Sequence, residues 1–157
     1  MSKSSFIGKH GSSHDIQRLI DEGDADAVRA ASHRNPAWSD AHTDAAVKSE
    51  HASIRTTMAH FHWDKLHEGH RDALLRDPNE YVRKRAHYSH LSTKTGDELV
   101  KFMHDPSTKD LHQTAYSAGA NENIFHSRHL KIMMNHPDPR IRVAADNELY
   151  NRGSDDY

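Results

Sequence analysis

The chain has 157 residues, 34% of them hydrophobic, with 21 basic and 23 acidic side chains and a formal charge of −2. That length supports one domain with a real core, and the near-neutral balance removes any global pull toward nucleic acid or an anionic membrane. There is no Cys, which excludes disulfides, thiolate metal sites and Cys-held iron–sulfur clusters.

Residues 1–13 are rich in Ser, Gly and Lys and are expected to form a flexible tail from which Phe6-Ile7 can dock onto the first packed unit. The opening Met1-Ser2-Lys3-Ser4-Ser5-Phe6-Ile7 lacks the apolar core of a signal peptide, and no later run is long enough to span a membrane. The expectation is a soluble, cytoplasmic protein with no membrane partner.

From His14 a pattern repeats. An aliphatic residue followed by Arg recurs as Val28-Arg29, Ile54-Arg55, Val82-Arg83 and Ile141-Arg142, with Leu111-His112 as a weaker copy, at intervals of 26, 28, 29 and 30 residues. Periods of this size indicate stacked helical units. Paired apolar residues stand before each anchor, the nearer of each pair seven or eight positions ahead of it: Leu19/Ile20, Ala46/Val47, Leu74/Leu75, Phe102/Met103 and Met133/Met134. Each unit therefore reads as a first helix, a break, and a second helix that starts near the anchor. The units span about 14–39, 40–65, 66–94, 95–123 and 124–151, followed by an acidic tail, 152–157.

The breaks Gly23-Asp24, Asp77-Pro78, Asp105-Pro106 and His136-Pro137-Asp138-Pro139 stop one helix and start the next. Pro cannot donate to the helix before it but fits the first turn of the one after, and Asp caps free N–H groups there. Ser49-Glu50-His51-Ala52-Ser53 lacks a strong breaker, so the two helices of the second unit are expected to run together. Trp38, Trp63 and Leu91 stand nine or ten positions past their anchors, with Ile124 in a looser fourth copy. Leu in the same column makes the two Trp core fillers.

Val28-Arg29-Ala30-Ala31-Ser32-His33-Arg34-Asn35-Pro36 and Asp77-Pro78-Asn79-Glu80-Tyr81-Val82-Arg83 resemble the HEAT-like repeats of bacteria, especially the leucine-rich-repeat-variant subclass. The resemblance covers about residues 14–151. It implies an all-α, right-handed solenoid of about five units, and a ladder in which the break Asp pairs with the Arg six residues later. Only Asp77 and Arg83 keep that spacing; Asp24–Arg29 and Glu50–Arg55 are five apart, and Leu111-His112 has no Arg. The fourth unit is the expected place for a kink.

Arg29, Arg55, Arg83 and Arg142 are expected to be structural, packing their stems and pairing with break carboxylates. Arg83-Lys84-Arg85 is the candidate nucleic-acid patch, because some HEAT-like proteins, a DNA glycosylase group among them, grip DNA in a concave groove. Asp72, Asp77 and Glu80 interleave with it, whereas phosphate binding needs uncompensated charge. The 16 His include the close pairs His60/His62, His67/His70, His87/His90 and His126/His129. His62, His87 and His90 are the candidate metal ligands, but no HExxH or His-carboxylate triad occurs, and the expectation is no metal and no cofactor. No Gly-x-Ser-x-Gly, P-loop or dinucleotide fingerprint is present, so no catalytic residue is assigned. The expected function is a non-catalytic protein-interaction or assembly module, an adaptor, inhibitor or subunit, with self-association through the terminal repeats; the alternative is nucleic-acid binding.

Overall fold

The computed structural model describes residues 2–153. Among them are eleven α-helices and no strand: α1 (Lys3–His10), α2 (Ser13–Glu22), α3 (Ala25–Arg34), α4 (Asp40–Val47), α5 (Ala52–Phe61), α6 (Glu68–Leu75), α7 (Glu80–Leu91), α8 (Gly96–Met103), α9 (His112–Asn121), α10 (Ser127–Met133) and α11 (Pro139–Arg152). Short 3₁₀ turns occupy Trp63–Lys65 and Pro106–Leu111. The protein is all-α, and its helices pack mostly on sequence neighbours. No helix among the described residues is long and apolar enough to cross a membrane.

The chain divides into two compact units, 1–86 and 87–157, and the division falls within α7. In the first unit, α2 and α3 bury Ile16, Leu19, Ile20, Ala27, Val28 and Ala31, and α4 and α5 add Ala46, Val47, Ile54, Met58 and Ala59. Trp63, Leu66, Leu74, Val82 and Ala86 complete that core. The anchors Val28, Ile54 and Val82 are fully inside. Trp63 is buried, and Trp38 packs on the same cluster while its indole N–H donates to Thr43 Oγ1 at 2.9 Å.

The second unit buries Leu91, Leu99, Met103, Ala115, Ala118, Phe125, Leu130, Met133, Ile141, Ala145 and Leu149. The weak anchor Leu111 is only half-buried, at the end of a 3₁₀ turn in which Thr108 leaves helical geometry (φ −104°, ψ 15°). Phe125 takes the connector slot that the sequence suggested for Ile124, which is half-buried beside it. Gly119 makes this possible, because a Cβ there would fall 2.3 Å from the Phe125 ring.

Three local expectations meet a different structure. The stretch 1–13, read as a tail, contains α1: Ser2 caps it by accepting from Ser5 N–H at 3.2 Å, and Ile7 packs on the core while Phe6 stays exposed. Buried Asn35 ties the end of α1 down by donating to the carbonyls of Gly8 (2.8 Å) and Gly11 (2.9 Å). The two helices of the second unit do not run together. Ser49 Oγ accepts the His51 N–H at 3.1 Å and its carbonyl takes the Arg55 guanidinium at 2.8 Å, which replaces the missing Pro as a stop. At the other end, α11 runs through Arg152, the first residue of the expected acidic tail, and residues 154–157 lie outside the described residues.

Candidate functional site

The third residue of α2, α4, α6, α8 and α10 is Asp15, His42, His70, Glu98 and His129 respectively. Asp15 accepts the Ser12 N–H at 2.9 Å and Glu98 the Thr95 N–H at 3.1 Å, each closing a capping box. Two histidines occupy the same slot chemically. His42 Nδ1 accepts the Ser39 N–H at 3.0 Å, and His129 Nδ1 accepts the His126 N–H at 2.9 Å. An accepting Nδ1 leaves the neutral ring's proton on Nε2, which is then free to donate. His42 Nε2 meets the Ser13 carbonyl at 3.1 Å, and His129 Nε2 meets Asp97 Oδ1 at 2.8 Å.

A carboxylate in this slot closes only its own helix; an imidazole also reaches the first helix of the preceding pair. His70 has the outward bond, Nε2 to Asp44 Oδ1 at 3.1 Å, but its buried Nδ1 has no hydrogen-bond partner. Its cap partner His67 instead accepts the His70 N–H and stacks on it with ring centroids 3.5 Å apart. For His67/His70 and His126/His129 the i, i+3 spacing is therefore a capping spacing, whereas His87/His90 lies inside α7. The readable signal was Ser/Thr/His-x-x-Asp/His/Glu ahead of each first helix. Asp97, bonded by Arg128 and then His129, has its carboxyl pushed down to about 2.

A second device repeats at the breaks. Ser49, Asp77, Asp105 and His136 each accept, through the side chain, the N–H two residues on, at 2.9–3.1 Å. Arg55, Arg83 and Arg142 donate to the carbonyl six residues back, at 2.8, 2.6 and 2.8 Å. This corrects the expected pairing of Asp77 with Arg83. The Asp77 carboxylate, 5% exposed, takes a bidentate fork from Arg55 of the preceding pair at 2.7 and 3.1 Å. Arg83 is left with the Asp77 carbonyl, because the short reach along its own turn ends at the backbone. Arg29 follows neither pattern and lies over the Phe61 ring, 3.7 Å from its centroid.

In the second unit a histidine pair stands where the first has Arg55–Asp77. His112 takes the anchor position and His136 the break, and both are buried. His136 Nδ1 accepts the Asp138 N–H, and its Nε2 lies 2.8 Å from the Met103 carbonyl and 3.2 Å from His112 Nδ1. His112 Nε2 then reaches the Asp105 carbonyl at 2.9 Å. Every nitrogen is satisfied when both rings are neutral. Burial, with help from His112 and His104, holds His136 below the usual histidine range. The pair borders a cavity of about 620 Å³ lined also by His104, Lys109, Asp110 and Arg140. His104 Nδ1 is engaged by the Val100 carbonyl at 2.8 Å.

The other sequence candidates are placed elsewhere. His62, buried in the first unit, stacks on His33 with centroids 4.4 Å apart and bonds Ser32 Oγ; burial, then His33 and Lys65, push it down to about 4. His87 and His90 are half-buried on α7. Among the described residues, no group of three or more His, Asp or Glu is placed to hold a metal ion. In the basic run, Lys84 pairs with Glu80 at 3.3 Å and Arg83 donates to the Asp77 carbonyl at 2.6 Å.

Sequence reasoning passed over the exposed side of the last pair. On α11, Ile141, Ala145 and Leu149 face the core, and Val143 and Tyr150, seven residues apart on the opposite side, are 58% and 80% exposed. Ile132 and Met134 at the end of α10 are exposed as well. Comparison with known protein families, with curated proteins and with solved structures finds no match to this chain.

Proposed function

We propose that the chain is a HEAT-like α-solenoid of five helical pairs, α2 to α11, that works as a non-catalytic protein-binding or assembly module. The repeat reading is supported by one cap position recurring at Ser12, Ser39, His67, Thr95 and His126, at intervals of 27, 28, 28 and 31 residues. The observation that carries the functional reading is the exposure of Ile132 on α10 and of Val143 and Tyr150 on α11. Large hydrophobic side chains left in water are a common mark of a surface that another protein covers, and Val143, Tyr150 and Ile132 are such side chains here.

The test is affinity capture from native-host lysate with nuclease treatment, comparing the wild-type chain with a Val143→Asp/Tyr150→Asp variant. A stoichiometric protein partner that survives nuclease and is lost in the variant, with the helical circular dichroism unchanged, is the expected result. Equal capture by both chains overturns the assignment of this face. Partners that vanish with nuclease overturn the protein-binding reading in favour of nucleic acid.

A further inference from the structure

Helix α1 and helix α3 enclose an open pocket of about 660 Å³ lined by Ser5, Lys9, Asp26, Arg29, Ala30, His33 and Arg34. The contributions from α3 share its outer face, three or four residues apart, opposite the buried Ala27, Val28 and Ala31. The contributions from α1 arrive because Gly8 lets that helix lie directly on α3: a Cβ on Gly8 would sit 2.5 Å from the Ala27 carbonyl oxygen. Asn35, tied to the Gly8 and Gly11 carbonyls, holds the end of α1 beside Arg34.

The lining carries three fixed cations, Lys9, Arg29 and Arg34, against one carboxylate, Asp26. Arg18, Lys48, Arg55, Lys84, Arg128, Arg140 and Arg152 each have a carboxylate within 4.0 Å. Lys9, Arg29 and Arg34 have none among the described residues. Arg29 is also held in place, its guanidinium carbon 3.7 Å from the centroid of the Phe61 ring. The local potential registers on His33, which is lowered first by burial and then by Lys65, Arg29 and Arg34.

We propose that this pocket binds a phosphate group, as inorganic phosphate or a small phosphomonoester, through Arg29, Arg34 and Lys9 with the Ser5 hydroxyl. An immobilised guanidinium fork and a flexible ammonium are complementary to a tetrahedral dianion. The site is separate from the apolar side of α10 and α11, and neither reading depends on the other.

The experiment is a titration of the isotopically labelled full chain with inorganic phosphate, then with methyl phosphate, followed by amide chemical shifts. Saturable shifts centred on Ser5, Lys9, Arg29, Ala30, His33 and Arg34 are expected. Arg29→Gln should weaken binding about tenfold or more, the ordinary size of one lost charge-assisted hydrogen bond, while Arg18→Gln leaves it unchanged. Non-saturating shifts, or shifts spread over the other basic residues, overturn the proposal whatever the variants do. A short single-stranded oligonucleotide is titrated as the second arm. Saturable oligonucleotide binding at these residues without binding of either small phosphate overturns it too, and makes the pocket a nucleic-acid contact.

Discussion

The Asp77 carboxylate shows how little at the residue scale is set by nearest spacing. It accepts both donors of the Arg55 fork and the Asn79 N–H, so both of its oxygens are hydrogen-bonded while it is 5% exposed. Removing one partner of a buried pair leaves the other charge uncompensated, at a cost of about 3–5 kcal/mol. Asp77→Ala should lose stability of that order in urea unfolding, and Glu80→Ala, whose partner Lys84 is exposed, should lose about 0.5 kcal/mol or less. Equal losses would show that the Arg55 fork contributes nothing beyond a surface pair. The His112–His136 pair holds the corresponding positions in the second unit by neutral hydrogen bonding.

At the scale of the element, α2, α4, α8 and α10 each open with a capping box whose third residue is Asp, Glu or His, and α6 alone of the five first helices does not. The chemistry requires only an acceptor at the right reach, which is why imidazole Nδ1 substitutes for a carboxylate oxygen in α4 and α10. His42→Ala should destabilise the protein by about 1 kcal/mol or somewhat more, since it removes both the cap and the link to Ser13. His42→Glu restores the cap alone and should recover roughly half of that loss. Thermal unfolding of the three chains checks this, and a Glu variant no better than Ala would show that the cap contributes nothing. Gly96 belongs to the same device: a Cβ there would lie 2.4 Å from the His129 ring, so Gly at the start of α8 clears the imidazole's route to Asp97.

For the whole molecule, three of the 16 histidines make stability a function of pH. His33, His62 and His136 are all lowered in the folded state, His62 to about 4. Below the unfolded histidine pKa of about 6.5, the unfolded chain binds protons that the folded chain refuses. Their contribution is therefore fully present above that pH and is lost as pH falls through the window down toward 4. Asp97 and Asp138, lowered by Arg128 and Arg140 respectively, act in a second window. Their stabilisation is present above the ordinary carboxylate pKa and disappears only as pH falls through their depressed folded values. Urea midpoints should fall between pH 7.5 and pH 5, with His62→Gln flattening part of that slope. A midpoint constant over this range would contradict the lowered folded-state pKa values of these rings.

The sequence by itself determined the helical class, the anchors Val28, Ile54, Val82 and Ile141, and the helix breaks marked by Gly23-Asp24, Asp77-Pro78, Asp105-Pro106 and His136-Pro137, but not the one at Ser49. Those features follow from local periodicity and from what Pro, Asp and Gly do to a backbone. It did not reveal α1, which has too few apolar residues for a periodic signal and is held against α3 by Gly8 and Asn35. Nor did it reveal which Arg meets Asp77, what the histidine pairs are for, or which cations of the first unit converge on one pocket. Only the tertiary structure decided these. A side chain with two polar ends chooses partners by distance in space, and helices two or three dozen residues apart in sequence bring those ends together.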